Sequence, residues 1–274
     1  MFRQVGRLTP EDMKELRLKV GEIFEQVAKK KVTSVTRRVN LIANTANYFV
    51  REELGKHLAE CEDKEFMDAI CHKMLKHKIY GIRATALFYF YYKDKANAEE
   101  VILVLDKYYK KVPWEAETIA LNMWKKHPKT MKKYMPQWQK DKDEVKRSLS
   151  LHGMENIASS DPKFIMSFIG NMIDDESLEV QKKITHILTQ VGRSKPNKCY
   201  PVVKEWLRDA DEKRIKTIWV SMKKLANIIT QQSNRDKSAE FVKVTTRTVK
   251  EWKKDPNQNV SVMGGKLAQI LKIK

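Results

Sequence analysis

At 274 residues, 42% hydrophobic and 32% charged, the chain is long enough to bury a full core and too apolar for a disordered polyelectrolyte. Its 54 Lys+Arg against 35 Asp+Glu leave a formal net charge of +19, a self-repulsion that favours an anionic partner, nucleic acid first. Cys61, Cys71 and Cys199 are odd in number and lack metal-ligand spacing, which argues against a disulfide framework and for a reducing compartment.

Only 9 Gly and 8 Pro interrupt the sequence, and no Asn-Gly or Asp-Gly turn joins alternating apolar runs, so helix is expected throughout. Thr9-Pro10-Glu11-Asp12 carries an N-cap, a first-position proline and first-turn acids, predicting a helix to about Lys30. Val39, Ile42, Ala43, Ala46 and Phe49 recur at helical spacing and predict a second, longer helix. Residues 64–77 and 79–94 read as an antiparallel pair broken near His77-Lys78. In the second of these, Ala86 to Tyr92 is apolar on every side, as in a central helix packed on both flanks.

The rhythm then repeats. Asn97 is placed to cap a helix to about Lys111, Pro113 opens the next, and Pro128 separates that from 130–140. Asp141 or Asp143, Asp161-Pro162, Asp174 or Asp175, Pro196, Asp211 and Ser238 mark further starts, and a short apolar segment closes the chain. Second helices of successive pairs begin near 79, 114, 143, 176 and 212, a period of roughly 30–37 residues, which is the span of helix-pair solenoids. The expected fold is therefore all-α: a HEAT-like helical-repeat superhelix over 1–232, its concave face basic, with a C-terminal helical extension over 233–274 packed on it. No stretch approaches the ~20 apolar residues of a membrane span and the first residues have no apolar signal core. An intracellular protein is expected, of the cytoplasm and nucleoid, or of the nucleus in a eukaryote, with no membrane partner and a monomeric state.

One constellation carries chemistry. Trp114-Glu115-Ala116-Glu117-Thr118 opens a helix, and Lys146-Arg147 follows about one helix pair later. The stretch Met74 to Phe88, Trp114 with its helix, Lys146-Arg147, and Asp174-Asp175-Glu176 through Lys182-Lys183-Ile184 to Gly192 together resemble the AlkD-like DNA alkylation repair proteins, over roughly residues 60–210. The resemblance implies helical-repeat DNA glycosylases that excise N3- or N7-alkylated purines without metal or cofactor. It implies double-stranded DNA as the partner, held mainly by its phosphate backbone.

The family's site pairs a Trp with an Asp four residues later, adds an Arg from the following repeat, and uses a second Trp further on. By this resemblance Trp114 matches the first Trp and Arg147 the Arg, while the Asp position is Thr118 and the second Trp falls on His186. The DNA- or lesion-contacting set it implies is Trp114, Thr118, Lys146, Arg147, Lys182, Lys183 and His186. Loss of a glycosidic bond develops positive charge on the sugar, which a nearby carboxylate stabilises and a threonine does not. Catalysis is thus either lost or altered, and Glu117, one residue from the missing Asp, is the candidate catalytic carboxylate. Packing and solvation are the competing explanations: Trp114 as an inter-repeat aromatic, Glu115 and Glu117 as dipole-favoured first-turn acids, Arg147 as a surface charge, His186 as a core histidine. Two further functions compete with DNA repair, a helical-repeat scaffold binding acidic protein segments and an RNA-binding repeat.

Overall fold

The computed structural model describes residues 2, 5–94, 97–231 and 238–273, and every regular element among them is helical. By its contacts the chain divides into two compact units, 1–120 and 121–274.

The first unit opens with α1 (Pro10–Ala28), where the Thr9 side chain accepts from the Asp12 amide and the Asp12 carboxylate accepts from the Thr9 amide. This reciprocal capping box satisfies two otherwise orphaned donors of the first turn. α2 (Val32–Ala43) and α3 (Tyr48–Leu58) follow. The long second helix expected from the apolar spacing is therefore two helices. Asn47 breaks it: its side chain accepts from the Phe49 amide, 3.0 Å, and starts α3 afresh. α4 (Lys64–Met74) and α5 (Tyr80–Asp94) form the expected pair around His77-Lys78. α6 (Ala98–Tyr108) tightens into a 3-10 turn over Tyr109–Lys111, and Asn97 precedes it without donating or accepting a side-chain cap.

α1, α3 and α5 stack as one layer, with α2 and α4 behind them and α6 on α5. The sequence predicts α5 as a central helix, and it is: Ile82, Ala84 and every residue from Ala86 to Phe90 are at most 3% exposed. Phe88 meets Tyr48 edge-on at 5.4 Å between ring centres. Gly81 lets α5 approach α2 so closely that a Cβ there would lie 2.0 Å from the Ala43 carbonyl oxygen.

The division between units falls inside α7 (Pro113–Lys126). The second unit continues with α8 (Pro128–Trp138), α9 (Glu144–Leu151), α10 (Pro162–Gly170), α11 (Leu178–Ser194), α12 (Pro196–Arg208), α13 (Glu212–Thr230), α14 (Ala239–Lys253) and α15 (Gln258–Leu271). Asp143, Asp161, Asp211 and Ser238 cap as expected, each accepting from a first-turn amide. α11 differs. Ser177 occupies its cap position, and Asp175 instead accepts from the Ser177 amide at 2.9 Å, shaping the turn before the helix.

α9, α11, α13 and α15 pack consecutively in one layer, and α10, α12 and α14 in the other. Alternate helices stacking in two layers is the α-solenoid arrangement that the repeat period predicts. The expected boundary between 1–232 and 233–274 lies outside the described residues; beyond it, α14 packs on α12, and α15 on α12 and α13. Cys61, Cys71 and Cys199 are free and buried, and burial pushes their thiols up.

Candidate nucleic-acid interface

α7 opens with its indole in solvent: Trp114 is 76% exposed, while Ala116, Ile119 and Ala120 behind it are fully buried. An exposed tryptophan at a helix start adds nothing to the core of its unit, so packing does not account for it. The Thr118 hydroxyl donates to the Trp114 carbonyl, 3.2 Å, and caps the turn from within.

The two acids of this turn have separate fates. Glu115 is 0% exposed and its Oε1 accepts from Arg51 Nε at 3.1 Å and Nη2 at 2.9 Å. Its Oε2 accepts from the Tyr80 hydroxyl at 2.5 Å. The guanidinium groups of Arg51 and Arg83 both lie over the Tyr80 ring, at 5.7 and 5.6 Å from its centre. Burial and the Glu115 carboxylate together push the Tyr80 hydroxyl up, so it stays a donor. Glu115 is thus enclosed by α3 and α5, and Glu117, half-buried, is the carboxylate of this turn that reaches solvent.

Sequence reasoning missed Arg51, Tyr80 and Tyr48. The Tyr48 hydroxyl is buried and meets no hydrogen-bond partner at bonding distance among the described residues; burial raises its pKa, and Thr118 and Glu52 are its polar neighbours. The signal was there as a repeat, Tyr48-Phe-Val-Arg51 and Tyr80-Gly-Ile-Arg83, each at the start of a layer helix.

That repeat has a physical function. Arg51 Nη1 donates to the Thr45 carbonyl at 2.7 Å, and Arg83 Nη1 to His77 and Lys78, both at 2.8 Å. Arg147 Nη1 donates to Asp141 at 2.9 Å and Lys142 at 3.0 Å, and Gln181 Nε2 to Asp175 at 2.7 Å. Each donor reaches back from the start of its helix to strap the preceding turn, satisfying carbonyls that no helix pairs. In α7 the same phase belongs to Glu117, one residue after buried Ala116 as Arg51 follows Val50 and Gln181 follows Val180. A carboxylate cannot donate. The turn before α7 is held from the neighbouring helix instead, by Arg83 Nε donating to the Lys111 carbonyl at 3.3 Å.

In the second unit the implied contact residues are partly engaged. Arg147 Nε and Nη2 clamp both oxygens of Asp175, at 2.7 and 3.0 Å, so its guanidinium joins one turn to the next. Burial raises the Asp175 carboxyl, but Arg147 and the Ser177 amide outweigh it and hold the pKa below the usual range. Lys146 pairs with Asp141 at 3.1 Å and lies 5.5 Å over the Trp138 ring. Lys182 bonds Glu179 at 2.6 Å on an open surface, and Lys183 contacts His152. His186 is 47% exposed, 3.9 Å from Glu155, so it is a surface histidine and not a core one. Trp114, Glu117 and Thr118 thus share one turn of the first unit, while Lys146, Arg147, Lys182, Lys183 and His186 belong to α9 and α11 of the second.

Among the described residues no helix is long and apolar enough to cross a membrane, and no group of three or more His, Cys, Asp or Glu side chains is arranged to hold a metal ion. No curated protein matches the chain at a significant level. Similar solved structures include an engineered protein, 13% identical with a TM-score of 0.39, over 92% of this chain and 68% of that one. Another is a designed armadillo repeat protein in complex with the peptide (KR)4, 14% identical with a TM-score of 0.27, over 94% of this chain and 99% of that one. A family model described as DNA alkylation repair enzyme matches residues 47–219, a span that begins at the Asn47 cap of α3 and takes in the Arg51–Glu115 pair, Trp114 and the Arg147–Asp175 clamp. The chain belongs to the DNA alkylation repair enzyme family.

Proposed function

We propose that the protein binds duplex DNA mainly through its phosphates, and that Trp114 meets the sugar or base edge of an N3- or N7-alkylated purine. The observation that carries this reading is the solvent-facing indole of Trp114 on a helix start whose neighbours are otherwise buried. A cationic alkylated base gains from an aromatic face, by roughly 0.5–2 kcal/mol.

Glu117 supplies the carboxylate to the reaction in place of the aspartate that Thr118 replaces. Its support is a departure from the helices on either side: α3, α5, α9 and α11 place Arg51, Arg83, Arg147 and Gln181 at the strapping position, and α7 places an acid there. Glu117 then stabilises developing positive charge on the sugar as the base departs. Glu115 cannot do so, because it is enclosed by Arg51 and Tyr80.

The test is release of N3-methyladenine or N7-methylguanine from alkylated duplex DNA. Release that disappears in Glu117→Gln and Trp114→Ala, with duplex affinity retained by the former, supports the assignment. Release unchanged in both variants overturns the site, and no duplex binding at ~150 mM salt overturns the partner.

A further inference from the structure

At the far end of the second unit, α13 and α15 leave an open groove of about 420 Å³ between them. Ile215, Val262 and Met263 give it an apolar floor, and the indole of Trp219 forms a wall. Lys216 and Lys266 stand exposed at its rims, and Lys266 Nζ lies 5.7 Å over the Trp219 ring. Val262 is 48% exposed, so the floor is open to a ligand. Asn259 holds the start of α15 in place by donating to the Leu207 and Ala210 carbonyls, at 3.0 and 3.1 Å. The groove is therefore a fixed concavity between two packed helices.

We infer that this groove takes one unstacked nucleotide of a single-stranded segment, its base against Trp219 and its flanking phosphates on Lys216 and Lys266. Charge complementarity selects the occupant. Glu212 is the one acid lining the groove, while Lys223, one turn beyond Trp219, extends the cationic face along α13. The apolar part is short and bounded by a lysine at each rim, which suits one base between two phosphates. An amphipathic peptide helix would need apolar positions over two or more turns, as at i, i+3, i+4 and i+7. Stacking on an indole is available to every base, so the groove grips without reading sequence. The groove belongs to the second unit and the Trp114 turn to the first, and the inference rests on the DNA-binding reading only for the class of polymer.

The experiment measures anisotropy of three labelled ligands: oligothymidine of about 12 nucleotides, an abasic strand of the same length, and a blunt duplex. Wild type, Trp219→Ala, Trp219→Phe and the double variant Lys216→Ala/Lys266→Ala are compared, each first checked for an unchanged melting transition. Trp219→Ala should weaken oligothymidine binding by roughly ten-fold and leave the abasic strand and the duplex unchanged, while Trp219→Phe keeps most of the affinity. The lysine double variant should weaken both single strands and flatten their salt dependence. Equal loss on the abasic strand, or no loss on oligothymidine, overturns the inference. So does a leucine-containing acidic peptide that binds more tightly than oligothymidine and is lost in Trp219→Ala, because the groove then docks protein. Duplex binding that is absent while oligothymidine binding survives overturns the duplex reading and supports the groove.

Discussion

The Arg51 guanidinium and the Glu115 carboxylate meet in a buried pair, with side chains 9% and 0% exposed and Nη2–Oε1 at 2.9 Å. The pair joins α3 to the start of α7 and seats the turn that carries Trp114. Glu115→Ala leaves a buried guanidinium without its counter-charge, and should cost about 3–5 kcal/mol in urea unfolding. Glu115→Gln keeps an acceptor for Arg51 and should cost less than half of that.

Thr118→Asp puts a second carboxylate on the Trp114 turn, at the position where the resemblance implies an aspartate. Base release from alkylated duplex should rise by about two orders of magnitude, the scale of one positioned charge-stabilising group. A rise that persists in Thr118→Asp/Glu117→Gln assigns the two carboxylates to one interchangeable duty. No rise in either variant counts against placing the chemistry on this turn.

Duplex affinity should fall linearly on a log–log plot against salt, with a slope of about −0.9 for each phosphate neutralised. Lys182→Ala/Lys183→Ala on α11 should make that slope shallower by about two units. Lys146→Ala should change it little, because the Lys146 side chain is only 15% exposed, held between Asp141 and the Trp138 ring, whereas that of Lys182 is 70% exposed. A slope unchanged by the α11 double variant excludes that helix from the phosphate contacts.

Acid should unfold the second unit through its clamped aspartates. Lys132 holds the Asp161 carboxyl below the usual range, and Arg147 with the Ser177 amide does so for Asp175 against the cost of burial. A carboxyl with a depressed folded pKa contributes stability that is fully present above its unfolded value near 3.9 and is lost as pH falls through the folded value. Stability measured between pH 5 and pH 2 should therefore decline below about pH 4, and Asp175→Asn should flatten that decline while lowering stability at pH 7. A decline of undiminished steepness in Asp175→Asn would assign the acid transition to other groups.

Gly81→Ala should destabilise the first unit by at least about 1–3 kcal/mol, since backbone cannot yield as a side chain does. The added methyl would fall 2.0 Å from the Ala43 carbonyl oxygen and force α5 away from α2. Differential scanning calorimetry reads the loss; a melting point within a degree of wild type would mean that the two helices separate freely.

The repeat period, the caps at Thr9, Asp143, Asp161 and Asp211, and the buried course of α5 were legible in the sequence because each is a local property of spacing and side-chain chemistry. The break between α2 and α3 was not. Apolar phase ran through Ala46 to Phe49, and a single asparagine side chain outweighed it by offering the Phe49 amide an acceptor. The site was half legible. Trp114, Glu117 and Thr118 share one turn and follow from sequence distance, whereas the enclosure of Glu115 depends on Arg51 and Tyr80, which lie far away along the chain. Likewise the duty of Arg147 as a clamp shows only once Asp175 is beside it.

The strap that Arg83 throws across to the Lys111 carbonyl has an evolutionary corollary. With that turn tethered from α5, position 117 is released from the task that arginine or glutamine performs in α3, α5, α9 and α11. Substitutions there can explore new reactivity while the scaffold stays stitched, which makes this one turn the natural place to randomise in a directed-evolution library.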